Sequence, residues 1–158
     1  MAFVIQNSEQ GPKAFRPESA GCYLGYHGID NSIAIEFDTY QHGHFGEVNS
    51  NHISVQSNGT KPNSADHKYS LGQATPLARL NDYQLHHVVV TYNPYVPENE
   101  HQMTVGFDGI DIIKCKVNLA ELLNLENNDE AYVGFTAATG MCHQEHLVYY
   151  CNIDRLLP

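Results

Sequence analysis

Ser32-Ile33-Ala34-Ile35-Glu36-Phe37-Asp38-Thr39-Tyr40, a polar run Gln41 to Asn51 that contains His42 and Glu47, and then His52-Ile53-Ser54-Val55 make up the stretch that decides the fold. Its first part alternates. Ile33, Ile35 and Phe37 point one way and Ala34, Glu36 and Asp38 the other, the period of a strand with one face in a core. The opposite face carries two carboxylates two residues apart. After the polar loop a second strand begins at His52, so the sequence predicts two strands joined by a polar loop.

Strand signals continue on both sides. Met1 to Gln6 reads as a strand: it is apolar, but it lacks the basic front and small-residue cleavage site of a signal peptide. His86 to Tyr92 is β-branched and aromatic, and Gln102 to Phe107 places Met103, Val105 and Phe107 on one face. Asp108-Gly109 is a hairpin signal, with Ile110 to Val117 as the return strand. Glu130 to Thr136 and His146 to Ile153 read as two more strands. Only Leu119 to Leu125 looks helical. Gly, Pro, Asn and Ser fill Asn7 to Pro17, Gln41 to Asn51, Ser57 to Pro76 and Asn93 to Glu100. Many short strands separated by turns argue for an all-β chain, an antiparallel β-sandwich or jelly roll.

The chain has 158 residues, which suits one domain with one core, and no apolar run is long enough to span a membrane. Its formal net charge is −10, and its few basic residues are scattered. Nucleic acid is therefore an unsuitable partner, because phosphate binding needs clustered Lys and Arg. The four cysteines form no C-x-x-C pair, which argues against a thiolate zinc site. Their even number and the sequon Asn58-Gly59-Thr60 lean towards an extracellular or secretory-pathway setting. No Gly-x-Ser-x-Gly elbow, P-loop or dinucleotide fingerprint is present, and no catalytic residue is assigned.

The chemistry lies between Glu36 and His52. If the loop folds back, Glu36, Asp38, Glu47 and His52 converge. Oxygen donors suit calcium, and an added imidazole nitrogen suits a transition ion such as manganese. On spacing alone, the same run serves equally as a solvated acidic face with a surface histidine. The ten histidines also raise a zinc site around His42, His44 and His27, but a solvated loop histidine is the commoner case.

Glu36 to Tyr40 followed by Asn51-His52-Ile53 resembles the metal-binding segment of the legume-type (L-type) lectin family, with the spacing from Glu36 to Asp38, Glu47 and His52 kept without a gap. Gly21-Cys22-Tyr23-Leu24-Gly25 is similar to the family's glycine-bearing sugar loop. His87 to Tyr92 followed by Met103-Thr104-Val105 is similar to its back-sheet strands, and Tyr132 to Gly140 to its late strand and loop. The resemblance implies a concanavalin A-like sandwich that binds carbohydrate and is not an enzyme. It implies a transition ion, Mn2+ or another, on Glu36, Asp38, Glu47 and His52. It implies Ca2+ on Asp38, the Tyr40 carbonyl, the position of His42, and Glu47. It places a glycan beside calcium against Gly21, Cys22 and His42, with Gly140, Met141, Cys142, His143 and Gln144 lining the pocket. Metal-bound carboxylates cannot serve as general acids, so a glycanase pair of Glu36 and Asp38 is disfavoured.

Three departures from the family matter. His42 stands where the family has an asparagine that serves both calcium and sugar. Glu47 replaces an aspartate, and Val48 a proline. The sugar-binding aspartate, just before the strand matched by Ala2 to Ile5, has no counterpart, and neither do the family's earlier strands. Three outcomes are open: a partner chain or second copy covers the exposed sheet, the sequence is part of a longer protein, or the fold has adapted. These departures also motivate a second reading, a structural or protein-interaction module that has lost sugar binding. Cys22 and Cys142 fall in the two loops that the family brings together, as a disulfide or as two free thiols.

Overall fold

A computed structural model describes residues 1–97, 100–125 and 130–154. Among the described residues eight strands form two antiparallel sheets. The larger has the order β4-β3-β2-β1-β8, with β1 Ala2–Gln6, β2 Ser32–Asp38, β3 His52–Gln56, β4 Ser70–Ala74 and β8 Tyr132–Thr136. The smaller has the order β5-β6-β7, with β5 Val88–Tyr92, β6 Met103–Phe107 and β7 Ile110–Cys115. The fold is the all-β sandwich that the alternation predicts.

The inward faces of the two sheets meet in one apolar layer. Ile33, Ile35, Ile53 and Val55 come from the larger sheet, and Met103, Val105, Phe107, Ile113 and Cys115 from the smaller. The sheets approach most closely where β4 crosses β7: a Cβ on Gly72 would stand 2.7 Å from Ile113 Cγ2, so this position has no room for a side chain. Asp108 and Gly109, both with positive φ (50° and 81°), form the two-residue turn between β6 and β7. The helical signal shrinks to one turn, α1 Leu119–Leu122, capped by the Asn118 side chain, which accepts from the N–H groups of Ala120 and Glu121.

The outer face of the larger sheet is also covered. Ala2, Val4 and Ala34 pack there against Leu24, Tyr26, Ile29 and Ala65 from two long loops. β2 is therefore buried on both sides, with only Phe37 half-buried among its seven residues. The candidate centre sits in this second layer.

Two expectations need correction. His146 to Ile153 forms no strand; its residues are irregular, with Leu147, Val148, Tyr149, Tyr150 and Ile153 exposed. A strand exists only as a member of a ladder, and among the described residues no neighbouring edge pairs with this segment. Conversely, the turn-rich run Ser57 to Pro76 contains β4, which pairs with β3 from Ile53↔Ala74 to Gln56↔Ser70 with a register shift between Val55 and Gln56. Within the gap Asn93 to Glu100, residues 98 and 99 lie outside the described residues.

Candidate metal centre and neighbouring loops

Strand register builds the centre. Antiparallel pairing sets Asp38 opposite His52, Glu36 opposite Ser54, and Ala34 opposite Gln56. Side chains alternate between faces, so Glu36, Asp38, His52, Ser54 and Gln56 share the outer face. Tyr26 reaches them from one covering loop, and His67 from the long excursion between β3 and β4.

Glu36 is the hub, 2% exposed. Its Oε1 accepts hydrogen bonds from Ser54 Oγ at 2.6 Å and Gln56 Nε2 at 3.4 Å, and lies 2.9 Å from His67 Nε2. Its Oε2 accepts from the Tyr26 hydroxyl at 2.7 Å. Burial on its own would raise the pKa of this carboxyl. Contacts with His52, His67, Ser54 and Tyr26 outweigh burial and hold it far below the usual carboxylate range. Glu36 is therefore a committed anion in the interior.

Asp38 Oδ1 accepts from the Tyr40 N–H at 2.8 Å, and burial raises its pKa. Glu47 accepts from the His42 backbone N–H, and its Oε1 lies 3.6 Å from His42 Nδ1. Burial first, and then the negative charge of Asp38, push Glu47 up to about 7, against the lowering effect of the His42 N–H. Adjacent carboxylates that resist ionising together are a site that wants a cation.

The ligand atoms converge in two overlapping sets. Asp38, Glu47 and His52 offer atoms within 4.8 Å of one another, and so do Glu36, His52 and His67. His52 belongs to both sets and is fully buried, 0% exposed. Its Nδ1 lies 2.7 Å from the Asn49 carbonyl oxygen, which can only accept, so Nδ1 carries a proton and, in the neutral ring, Nε2 presents a lone pair. That Nε2 has no hydrogen-bond partner. A buried imidazole nitrogen without a partner among three carboxylates fits a transition ion, which Glu36, Asp38, Glu47 and His52 would hold.

The fit to calcium is thinner. Calcium takes about 6–8 oxygens, and here Asp38, Glu47 and the Tyr40 carbonyl are the oxygen donors the sequence offers. His42 contributes an imidazole whose Nδ1 is buried without a partner.

The expected sugar loops are neighbours. The Gly21 N–H donates to the Thr139 carbonyl at 3.2 Å. Gly21 and Gly140 abut through their backbones: a Cβ on Gly140 would meet Gly21 Cα at 3.2 Å. Thr39 Oγ1 donates to Gln144 Oε1 at 2.6 Å, which ties the late loop to the residue after Asp38. Gly140, Met141, Cys142, His143 and Gln144 are all exposed. Cys22 is half-buried, Cys142 is exposed and both thiols are free, so the bridge between these loops is not formed. A row of rings flanks the loops, with centroids 4.7 Å apart for Tyr40–His42, 6.1 Å for His42–Phe45 and 5.6 Å for Phe45–Tyr23.

Sequence reasoning missed Tyr26, Ser54, Gln56 and His67. Period 2 along β3 would have found Ser54 and Gln56, which lie on the face of His52. His67 stands in a turn-rich run, where no periodicity marks it.

A two-layer sandwich with a buried carboxylate–imidazole cluster beside paired glycine loops is the architecture of a lectin-like domain. The chain belongs to the legume lectin domain family, whose family model matches residues 1–155. It is 27% identical over 161 residues to the L-type lectin-domain containing receptor kinase V.9 of Arabidopsis thaliana, a match covering 94% of this chain and 23% of that protein. Against kinase VII.1 of the same plant it is 25% identical over 141 residues, covering 82% of this chain and 20% of the relative. Against kinase SIT2 of Oryza sativa subsp. japonica it is 26% identical over 165 residues, covering 94% and 23%. The chain thus spans less than a quarter of the length of these relatives.

Proposed function

We propose that this chain is a glycan-binding domain, without catalytic activity of its own, whose sugar loops are held in place by metal ions. The observation that carries the reading is the orphaned, fully buried His52 Nε2 facing Glu36, Asp38 and Glu47 at the base of the Gly21 and Gly140 loops. Glu36, Asp38, Glu47 and His52 hold a transition ion, Mn2+ in the family pattern. Asp38, the Tyr40 carbonyl, His42 and Glu47 form the Ca2+ side, with the two shared carboxylates bridging the ions. Bound ions neutralise the carboxylates and fix the loop from Thr39 to Glu47. The glycan lies on Gly21, Cys22, His42 and the loop Gly140, Met141, Cys142, His143 and Gln144. A glycan hydroxyl displaces the 3.2 Å bond from the Gly21 N–H to Thr139, and the exposed Tyr40 ring supports a sugar face. The lectin-domain receptor kinases among its relatives support an extracellular setting. Tyr132, Val133 and Phe135 on the edge strand β8 and the exposed residues of 147–153 are the surface a partner chain or second copy would cover. Among the described residues no helix is long and apolar enough to cross a membrane.

The test is a glycan-array profile with calcium and manganese, repeated after chelation. Selective binding that chelation abolishes is the expected result. A folded protein that binds nothing under either condition would favour a second reading, an interaction module on a lectin fold, for which the replacement at His42 already speaks.

A further inference from the structure

We infer that His67 is a second imidazole ligand of the transition-ion site, and that this makes the site select zinc. The inference rests on the reading above only in placing an ion among Glu36, Asp38, Glu47 and His52.

Three observations carry it. The first is convergence. His67 Nε2 lies 2.9 Å from Glu36 Oε1, His52 Nε2 lies 3.5 Å from the same oxygen, and the two rings stand 5.0 Å apart at 74°. Ligands about 2.0–2.2 Å from zinc sit about 2.9 Å apart in an octahedron and about 3.4 Å apart in a tetrahedron. The observed separations are the edges of such a shell.

The second is tautomer. His52 Nδ1 is tied to the Asn49 carbonyl at 2.7 Å, and His67 Nδ1 lies 2.8 Å from Gln73 Oε1. Both partners are acceptors, so each ring keeps a proton on Nδ1 and leaves Nε2 as the atom that faces the cluster and could ligate a metal. Carbonyl-oriented imidazoles of this kind are how proteins prepare histidines for a metal. In the metal-free protein His67 Nε2–H donates to Glu36 Oε1, and a bound cation would take the place of that proton.

The third is burial. The side chains of His52, His67 and Glu36 are 0%, 4% and 2% exposed, and His52 Nε2 has no partner at all. Water does not satisfy this cluster from outside.

Donor type then sets the choice of ion. Manganese is a hard cation suited to oxygen ligands, whereas two imidazoles with carboxylates suit zinc. His67 comes from the excursion between β3 and β4 and is anchored by Gln73 on β4, so a loop outside the main metal segment supplies the extra nitrogen.

The test titrates chelator-treated protein with Zn2+ and Mn2+ by calorimetry, for the wild type and for His67→Gln. Zinc outranks manganese at most nitrogen–oxygen sites, so the comparison between variants is what reads His67. His67→Gln is expected to weaken Zn2+ binding by at least about tenfold, with Mn2+ affinity changed by less than about threefold. An unchanged Zn2+ affinity, or an equal loss for both ions, overturns the inference. Long-range 1H–15N correlation spectra of the unmodified protein give an answer that needs no variant: Zn2+ should move two Nε2 resonances into the metal-bound range, and movement of His52 alone overturns it. If no ion binds, this inference and the metal-supported reading fail together. If the Zn2+ results hold but no glycan binds, the zinc site stands and the lectin reading fails.

Discussion

Asp38 and His52 are register partners across the β2–β3 ladder, on the same face as Glu36. The ladder itself therefore fixes their separation, and Glu47 joins them from the loop between the two strands. Without a bound cation Asp38 on the ladder and Glu47 from the loop stay buried close together, which disfavours their charged forms and costs stability. Loading the site should recover it: an ion at about 100 times its Kd adds about 2.7 kcal/mol, which raises the melting temperature by about 5–10 °C. Thermal denaturation with Mn2+ or Zn2+ and then with excess chelator checks this. A melting temperature indifferent to both treatments would show that the centre binds no ion.

Tyr26 serves the same centre from outside the strands. Its hydroxyl is the donor to Glu36 Oε2, and both groups are buried. Tyr26→Phe removes the donor while keeping the ring, and leaves a buried carboxylate oxygen unpaired. We expect a loss of about 1–3 kcal/mol, read by urea denaturation of the metal-free protein. A loss well below that range would mean that another donor replaces the hydroxyl.

Gly72 tests the sandwich rather than the site. Gly72→Ala forces a methyl group against Ile113 Cγ2 and should cost about 1–3 kcal/mol. Ile113→Ala removes the clashing atom at its own cavity cost, so the double variant should be more stable than the sum of the single losses predicts, by about 0.5–3 kcal/mol. Strict additivity in a double-mutant cycle would place the strain elsewhere.

His86 gives a pH signature remote from the metal centre. Its Nδ1 lies 2.8 Å from Asp108 Oδ2, its Nε2 3.0 Å from Asp82 Oδ1, and its ring stacks on Phe107. Partial burial lowers its pKa, but Asp108 and Asp82 outweigh burial and raise it above the ordinary 6.5. A raised folded value means the stabilisation is complete below the unfolded pKa and is lost as pH rises through the folded one. The pairs are exposed and screened by solvent, so the effect is small. Denaturation of wild type and His86→Ala at pH 5.5 and at pH 8.5 should show a larger gap at the lower pH. An equal gap at both would assign the effect of His86 to ring packing alone.

Much of this molecule was legible in the chain. The alternation of Ile33, Ile35 and Phe37 against Ala34, Glu36 and Asp38 gives both the inner face of β2 and the carboxylates on the other. Asp108-Gly109 announced its turn because two successive positive φ angles demand such residues. β4 stayed hidden because Ser-Leu-Gly-Gln-Ala has little β propensity: it is held by pairing with β3, and its glycine answers to Ile113 across the sandwich. The Leu147 to Ile153 region misled for the opposite reason, having strand-like residues with no described ladder to join. His67 was invisible because its role depends on where a long loop returns, and local pattern does not encode that.

The two-sided burial of β2 bears on how such a domain can vary over generations. Inserting or deleting one codon between Ile35 and Glu36 would turn Glu36 and Asp38 towards the apolar layer and Phe37 towards the buried polar cluster, relative to Ile33 and Ile35. Core and ligand set would fail in one event, with no partly working intermediate. Loops such as the one carrying His67 can lengthen, shorten or trade a side chain without that penalty. Changes at the candidate metal and sugar sites are thus most accessible through the loops, while this strand is the part least free to change its frame.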